Sequence, residues 1–205
     1  IKQPDGSAFN MERMKNVLKI HISFVFQERP TGGGNQFLRS LKQHLVNMQS
    51  YTENADEADA IIFNSHQNIR RVARLKMKHP DCLFIHRIDG PMRLYNGFHD
   101  RRDSVAYAAM EQISDGTVYQ SGWSKMKNKE LGIPITHFNA TITNAPDPDI
   151  FHQSLRRKFK NNSKIRLIAT SWSVNMQKGF DIYQWLDENL DFSRYEMVFV
   201  GNTPV

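Results

Sequence analysis

The fold class is decided by Val17-Leu18-Lys19-Ile20-His21-Ile22-Ser23-Phe24-Val25-Phe26 and the Thr31-Gly32-Gly33-Gly34 loop that follows it. The first run is apolar and β-rich, which predicts a buried strand. After the glycines, apolar residues recur at helical spacing: Phe37, Leu38, Leu41, Leu45 and Met48. The chain therefore opens with a strand, a glycine loop and a helix.

The same alternation continues along the next hundred residues. Strands are predicted at 58–64, 82–88, 116–120 and 138–143, and helices at 67–78, 103–114 and 121–131. Ser121 is the predicted N-cap of the last of these helices. The helix at 103–114 is expected to turn four residues inward: Val105, Ala108, Ala109 and Ile113. This order predicts an α/β fold with a parallel sheet covered by helices on both faces.

A shift in composition predicts a domain boundary. Residues 1–15 read as a tail, 16–153 as a first Rossmann-like domain and 154–163 as a polar, basic linker. Residues 164–205 are then the incomplete start of a second domain, with strands at 164–170 and 195–200. The helix between these two strands has an apolar face: Phe180, Ile182, Tyr183, Leu186 and Leu190.

Composition limits the classes of function. The 205 residues are 40% apolar and 23% charged, with a net charge of +6, which is ordinary for a globular protein. The single cysteine, Cys82, cannot form an internal disulfide. The basic clusters, one of which is Arg70-Arg71 with Arg74, are interpreted as solvated helix faces, with attraction to anionic ligands as the alternative. No aromatic residues interleave with them as in nucleic-acid-binding proteins. We expect a cytoplasmic protein that does not bind nucleic acid, and peripheral association with the cytoplasmic membrane surface stays open.

The glycines at 32–34 are candidates for a ligand cradle. Glycine allows close approach of the backbone, and a helix N-terminus attracts anions. Phe37 stands at the sixth position, where the dinucleotide-binding fingerprint requires glycine, and no Gly-Lys-Ser/Thr sequence follows. Gly32, Gly33 and Gly34 therefore predict an anion or sugar cradle, with a plain tight turn as the alternative.

A second candidate is His86-Arg87-Ile88-Asp89-Gly90, at the carboxyl end of the third predicted strand. Ligands of open α/β sheets bind at that edge. His86, Arg87 and Asp89 could bind hydroxyl or phosphate groups. The alternative is a strand end closed by an Arg–Asp ion pair.

The segment Asn144-Ala145-Pro146-Asp147-Pro148-Asp149-Ile150-Phe151 permits two interpretations. Asp147 and Asp149 match the Asp-x-Asp pattern that chelates a cation on a donor diphosphate. The prolines also suit a stiff turn at the end of a domain. We predict the turn, and no metal site.

The order of these motifs resembles glycosyltransferase family four. The resemblance covers residues 16–205 and includes Val118-Tyr119-Gln120-Ser121-Gly122-Trp123-Ser124-Lys125, Asn144-x-x-Asp147-x-x-x-Phe151, and Lys178-Gly179-Phe180-Asp181. It implies a GT-B architecture, in which two Rossmann-like domains are joined at the Asn144 turn. It also implies that Lys178 contacts the donor diphosphate, although Ser171 or Trp172 stands where the family has an arginine. Ala145-Pro146 replaces the usual Gly-Val in the turn.

The function expected from this resemblance is hexosyl transfer, in glycan biosynthesis, from a UDP- or GDP-linked sugar to a saccharide or lipid-linked acceptor. It implies a retaining reaction without metal or cofactor, since the nucleotide-sugar is a substrate. His86 is the predicted catalytic residue, and the predicted substrate-binding residues are Gly32, Gly33, Gly34, Arg87, Asp89, Asn144, Ser171 and Lys178.

Two alternatives remain: a non-catalytic sugar- or nucleotide-binding module and, less favoured, a nicotinamide-dependent oxidoreductase. By the resemblance, the family's paired-glutamate motif is expected beyond Val205. The chain alone is therefore expected to be inactive, with self-association through its second domain left open.

Overall fold

A computed structural model describes residues 17–28, 32–134, 136, 138–146, 148, 151–155 and 164–204. The chain divides into two compact units. The first unit holds the residues up to Phe26 together with Gly34–Asn144, and the second holds Gln27–Gly33 and the residues from Ala145 onward. The predicted tail, most of the predicted linker and the two aspartates of the Asp-x-Asp pattern, Asp147 and Asp149, lie outside the described residues.

The first unit contains a five-stranded, entirely parallel sheet in the order β1-β2-β3-β4-β5. Its strands are β1 (Ile20–Ile22), β2 (Ala60–Asn64), β3 (Leu83–Ile88), β4 (Gly116–Tyr119) and β5 (Asn139–Thr141). Its helices are α1 (Gly33–Asn47), α2 (Ile69–Lys78), α3 (Arg93–Asn96), α4 (Arg102–Gln112) and α5 (Gly122–Glu130). The predicted α/β class with a parallel, Rossmann-like sheet is confirmed.

Helices cover both faces of this sheet because strand side chains alternate between faces. Leu38 and Leu45 of α1 pack with Ile22 of β1 and with the half-buried Ile62 of β2. On the opposite face, α2 and α4 pack on the adjacent β2 side chains and on β3, in a cluster of Ile61, Phe63, Val72, Cys82, Phe84, Ala109 and Ile113.

The connecting helices change from one face of the sheet to the other between β1 and β2. After α1 the chain reaches the outer edge of β1, where Tyr51 forms a parallel bridge with Ile20. The chain then returns to the other side of β1 and enters β2. Connections therefore leave β1 and β2 in opposite directions, which is the topological switch point at which open α/β sheets bind ligands.

Two local predictions are wrong. Strand β1 is only three residues long, because the ladder with β2 ends near Ser23, whose N–H donates to the Ile62 carbonyl at 2.8 Å. The predicted inward face of α4 is wrong in part: Ala109 and Ile113 are buried as predicted, but Val105 is 43% exposed and Ala108 is exposed as well. The further buried residues of α4 are Asp103, Ala106 and Met110. Asp103 is drawn inward because its carboxylate accepts the backbone N–H groups of Met92 and Arg93, both at 2.8 Å.

The second unit contains two parallel strands, β6 (Ile165–Ser171) and β7 (Tyr195–Gly201), and the helix α6 (Phe180–Asn189) between them. Phe180 is buried and packs against the rings of Tyr183 and Phe199. Both predicted strands and the helix are confirmed. Ile182, which was predicted to lie on the inward helix face, is 58% exposed.

Candidate functional site

Polar side chains from four strand ends meet at the carboxyl edge of the first unit's sheet. This sheet-edge cluster consists of Asn64, Ser65, Arg87, Asp89, Gln120 and Asn144. Its members end or follow β2, β3, β4 and β5. Since all five strands run parallel, their carboxyl ends share one edge, and residues far apart in sequence become neighbours.

Arg87 is the centre of the cluster and is 3% exposed. Its Nη1 donates to Asn64 Oδ1 at 2.7 Å and to Asp89 Oδ1 at 2.5 Å. Its Nη2 donates to Gln120 Oε1 at 3.1 Å and to Asn144 Oδ1 at 3.5 Å. The ring of Phe37, from α1, lies 4.3 Å from the guanidinium carbon. The charge of Arg87 is therefore balanced by Asp89 and distributed over three amide side chains.

Ser65 holds Asp89 in place. Its Oγ donates to Asp89 Oδ2 and accepts the backbone N–H of Asp89, both at 3.1 Å. Asn64 Nδ2 donates to the same Oδ2 at 2.9 Å. Ser65 has φ 42°, a left-handed conformation that is uncommon outside glycine. Strained residues of this kind cluster at functional sites, and this one lies at the predicted edge.

Helix α5 is tied to the same edge through the Asp89 backbone. The Asp89 carbonyl accepts Ser124 Oγ at 2.9 Å and Asn128 Nδ2 at 3.0 Å. Ser121 is the N-cap of α5, as predicted, and its side chain accepts the Ser124 N–H. A side chain at Gly90 would lie 3.0 Å from the Trp123 ring. Helix α5 therefore holds the loop after β3 through hydrogen bonds to the Asp89 carbonyl and through the Trp123 ring beside Gly90.

The start of α1 meets the sheet-edge cluster. A Cβ on Gly34 would lie 3.3 Å from Asn64 Nδ2 and 3.7 Å from Asp89 Oδ2. A Cβ on Gly32 or Gly33 would meet no atom within 4 Å. Two of the three predicted cradle glycines therefore border open space, and Gly34 touches the cluster.

His86 is fully buried, one residue before Arg87. Its ring stacks on Phe63 with centroids 4.2 Å apart, and its Nε2 lies 2.8 Å from the Ser65 carbonyl, to which an Nε2–H donates. Burial lowers the pKa of His86 to about 4, against the opposing effect of this hydrogen bond. His86 Nδ1 has no hydrogen-bond partner among the described residues. The ring is enclosed by protein, and the catalytic role of His86 stays a prediction.

Ser171 and Lys178 belong to the second unit. Ser171 ends β6, and its Oγ donates to the Ser173 carbonyl at 2.9 Å. Lys178 is exposed and precedes Gly179, the left-handed N-cap of α6 with φ 83°. The Lys-Gly pair therefore opens a helix, as the sequence predicts. A Cβ on Gly201 would lie 1.8 Å from the Ser171 carbonyl oxygen, so the edge beside Ser171 requires glycine.

Three members of the sheet-edge cluster were absent from the predicted site: Asn64, Ser65 and Gln120. Phe37, whose ring lies against Arg87, was absent as well. A usable signal did exist for two of them. Asn64 ends the apolar run of β2, and Gln120 follows β4, so each is the first polar residue at a strand's carboxyl end.

No three or more His, Cys, Asp or Glu side chains in the described ranges are grouped so that they could hold a metal ion. In the same part of the chain, no helix combines the length and apolarity needed to cross a bilayer.

No known protein-family model matches this chain, and a search of curated proteins likewise finds no match.

Proposed function

We propose that this chain is part of a glycosyltransferase that moves a hexose from a UDP- or GDP-linked donor to a saccharide or lipid-linked acceptor, within a GT-B architecture. The observation that carries the proposal is the meeting of Gly34, at the start of α1, with Asn64 and Asp89 at the topological switch point. Small-molecule ligands of open α/β sheets bind in such crevices. The order of motifs in the sequence supports the choice of glycosyl transfer.

The sheet-edge cluster suits a neutral, hydroxyl-rich ligand such as a sugar acceptor. Arg87 and Asp89 neutralise each other at 2.5 Å, so no uncompensated cation in the cluster attracts a phosphate. The amide side chains of Gln120 and Asn144 offer both donors and acceptors, which is what hydroxyl groups require.

The second unit carries the proposed donor side. Lys178 is exposed just before α6, and Ser171 lies at the carboxyl end of β6. By the resemblance to family four, Lys178 neutralises charge on the departing nucleoside diphosphate. Stabilising charge that develops in the transition state is usually the largest catalytic term.

The proposal is tested with the full-length gene product and a panel of UDP- and GDP-hexoses. We expect saturable transfer from one donor, and a fall in kcat of about 10²–10³ in Lys178→Ala, since a charge-stabilising donor is lost. Lys164→Ala is the matched control, because Lys164 is an exposed lysine of the same unit. Saturable sugar or nucleotide binding without turnover of any donor would instead indicate the non-catalytic binding module.

A further inference from the structure

A second polar cleft lies at the beginning of α2 and takes no part in the sheet-edge cluster. This arginine cleft has a volume of about 550 Å³ and is lined by His66, Asn68, Ile69, Arg70, Arg71, Arg74 and Val105. Three arginine residues therefore line one surface cleft, and no aspartate or glutamate is among its lining residues.

The three arginines differ from their neighbours on the same helix. Lys76 pairs with Asp115 at 2.8 Å, and Lys78 pairs with Asp56 at 2.7 Å. The side chains of Arg70, Arg71 and Arg74 have neither a hydrogen-bond nor an ion-pair partner among the described residues. The arginines near the amino end of α2 therefore have no paired carboxylate, whereas Lys76 and Lys78 at its carboxyl end are both paired.

This arrangement is unfavourable for an isolated helix. Arg70 and Arg71 occupy the first turn, where the helix dipole disfavours cations, and the first turn holds no acidic residue. Arg70 and Arg74 are four residues apart, at a spacing where like charges repel. Asn68 is the N-cap in a left-handed conformation, with φ 55°, and its side chain makes no capping hydrogen bond. Where a natural sequence departs from several local preferences at one place, such as helix capping and the charge favoured by the helix dipole, that place is mostly a functional site.

We propose that the arginine cleft binds a phosphorylated anion carrying at least two negative charges. Guanidinium groups bind phosphate oxygens through two parallel hydrogen bonds, and arginine is preferred over lysine where such geometry matters. An anion at this place would compensate the repulsion between Arg70 and Arg74 and would interact favourably with the α2 dipole. The cleft does not depend on the proposed transferase activity, because it uses none of the sheet-edge residues. The phosphate could belong to a free compound or to a lipid headgroup.

The test measures pyrophosphate binding to the full chain by isothermal titration calorimetry at low salt. We expect saturable binding that weakens by about 10-fold or more in Arg70→Ala/Arg74→Ala, since each lost charge-assisted hydrogen bond has a large effect. The control is Lys127→Ala/Lys129→Ala, which removes the same net charge from α5 and should change the affinity less than about 2-fold.

Circular dichroism is used to check that each variant is folded. A vesicle arm then separates the two sources of phosphate. Sedimentation with vesicles containing phosphatidic acid, reversed by pyrophosphate, would assign the site to a lipid headgroup. Pyrophosphate binding without sedimentation would assign it to a free phosphorylated compound. Absence of saturable pyrophosphate binding to the wild type, or equal weakening in both double variants, would overturn the proposal.

Discussion

Arg87 and Asp89 determine the chemistry of the sheet edge at the scale of single residues. Arg87 is almost fully buried, and its charge is balanced by the Asp89 carboxylate at 2.5 Å. Removing one partner of such a pair leaves an uncompensated buried charge, which is far more costly than the pair itself is stabilising. We expect Asp89→Asn to lower the free energy of unfolding by about 3 kcal/mol, measured by urea denaturation.

The matched control for this prediction is Glu130→Gln, which breaks the exposed pair of Glu130 with Lys127. Exposed pairs of this kind contribute about 0–1 kcal/mol. Equal effects of the two substitutions would show that Arg87 does not depend on Asp89 for its burial.

His86 predicts a dependence of stability on pH. Its pKa is about 4 in the folded protein, whereas the ordinary pKa of a histidine side chain is 6.5. As the pH falls through this window only the unfolded chain takes up the proton, so stability is lost from about pH 6.5 down to about pH 4. We expect His86 to account for a loss of about 2 kcal/mol between pH 7 and pH 5.

Urea unfolding at both pH values tests this prediction in the wild type and in His86→Leu. The variant should lose most of this pH dependence and retain a part from His21, whose pKa is also lowered by burial. His99→Leu replaces an exposed histidine and is the control. An unchanged pH dependence in His86→Leu would contradict the burial of a neutral ring.

At the scale of elements, two glycines in the first turn of α1 are expected to have different roles, one in ligand binding and one in packing. A side chain at Gly33 meets open space, whereas one at Gly34 meets Asn64 and Asp89. We expect Gly33→Val to leave the unfolding free energy within about 0.5 kcal/mol and to reduce transfer at least about 10-fold, because added bulk blocks the approach of a ligand to the backbone.

Gly34→Val is the companion variant, and it should lower stability by about 1–3 kcal/mol, as overpacking does. Both variants are compared by transfer assay and urea denaturation. Full transfer activity in a folded Gly33→Val protein would show that the glycine loop is a turn and no ligand cradle.

At the scale of the whole molecule, the two units differ in how well they cover their apolar surface. The first unit has three hydrophobic clusters around its sheet. In the second unit, Ile168 is 68% exposed and Trp185 is 60% exposed. We expect residues 17–144 to unfold in one cooperative transition by circular dichroism, because this unit has its own core. A non-cooperative signal from residues 17–144 would show that the core requires the rest of the chain.

The second whole-molecule prediction concerns metal ions. Asp147 and Asp149 lie outside the described residues, and the prediction that they form a turn rests on the prolines around them. We expect transfer by the full-length gene product to be unchanged by a chelator. Loss of activity that manganese restores would favour a chelating Asp-x-Asp pair.

Local patterns in the sequence were sufficient to predict most of the helices and strands. Apolar runs identified the strands β2 to β7, the helical spacing of Leu38 and Leu45 identified α1, and Ser121 identified the start of α5. These features depend on neighbours within about four residues along the chain, so periodicity and capping preferences report them directly. The sheet class followed from the order of elements, because strands that alternate with helices pair in parallel.

The tertiary structure alone decided which side chains meet and which are enclosed. Arg87 and Asn144 are 57 positions apart and come within 3.5 Å because parallel strands bring their carboxyl ends to one edge. His86 and Arg87 are neighbours in sequence, yet the pleat sends the ring of His86 into the core beside Phe63 and the side chain of Arg87 to the polar cluster. Periodicity cannot distinguish such positions on a strand buried on both faces, since contacts between distant segments determine the surroundings of each side chain.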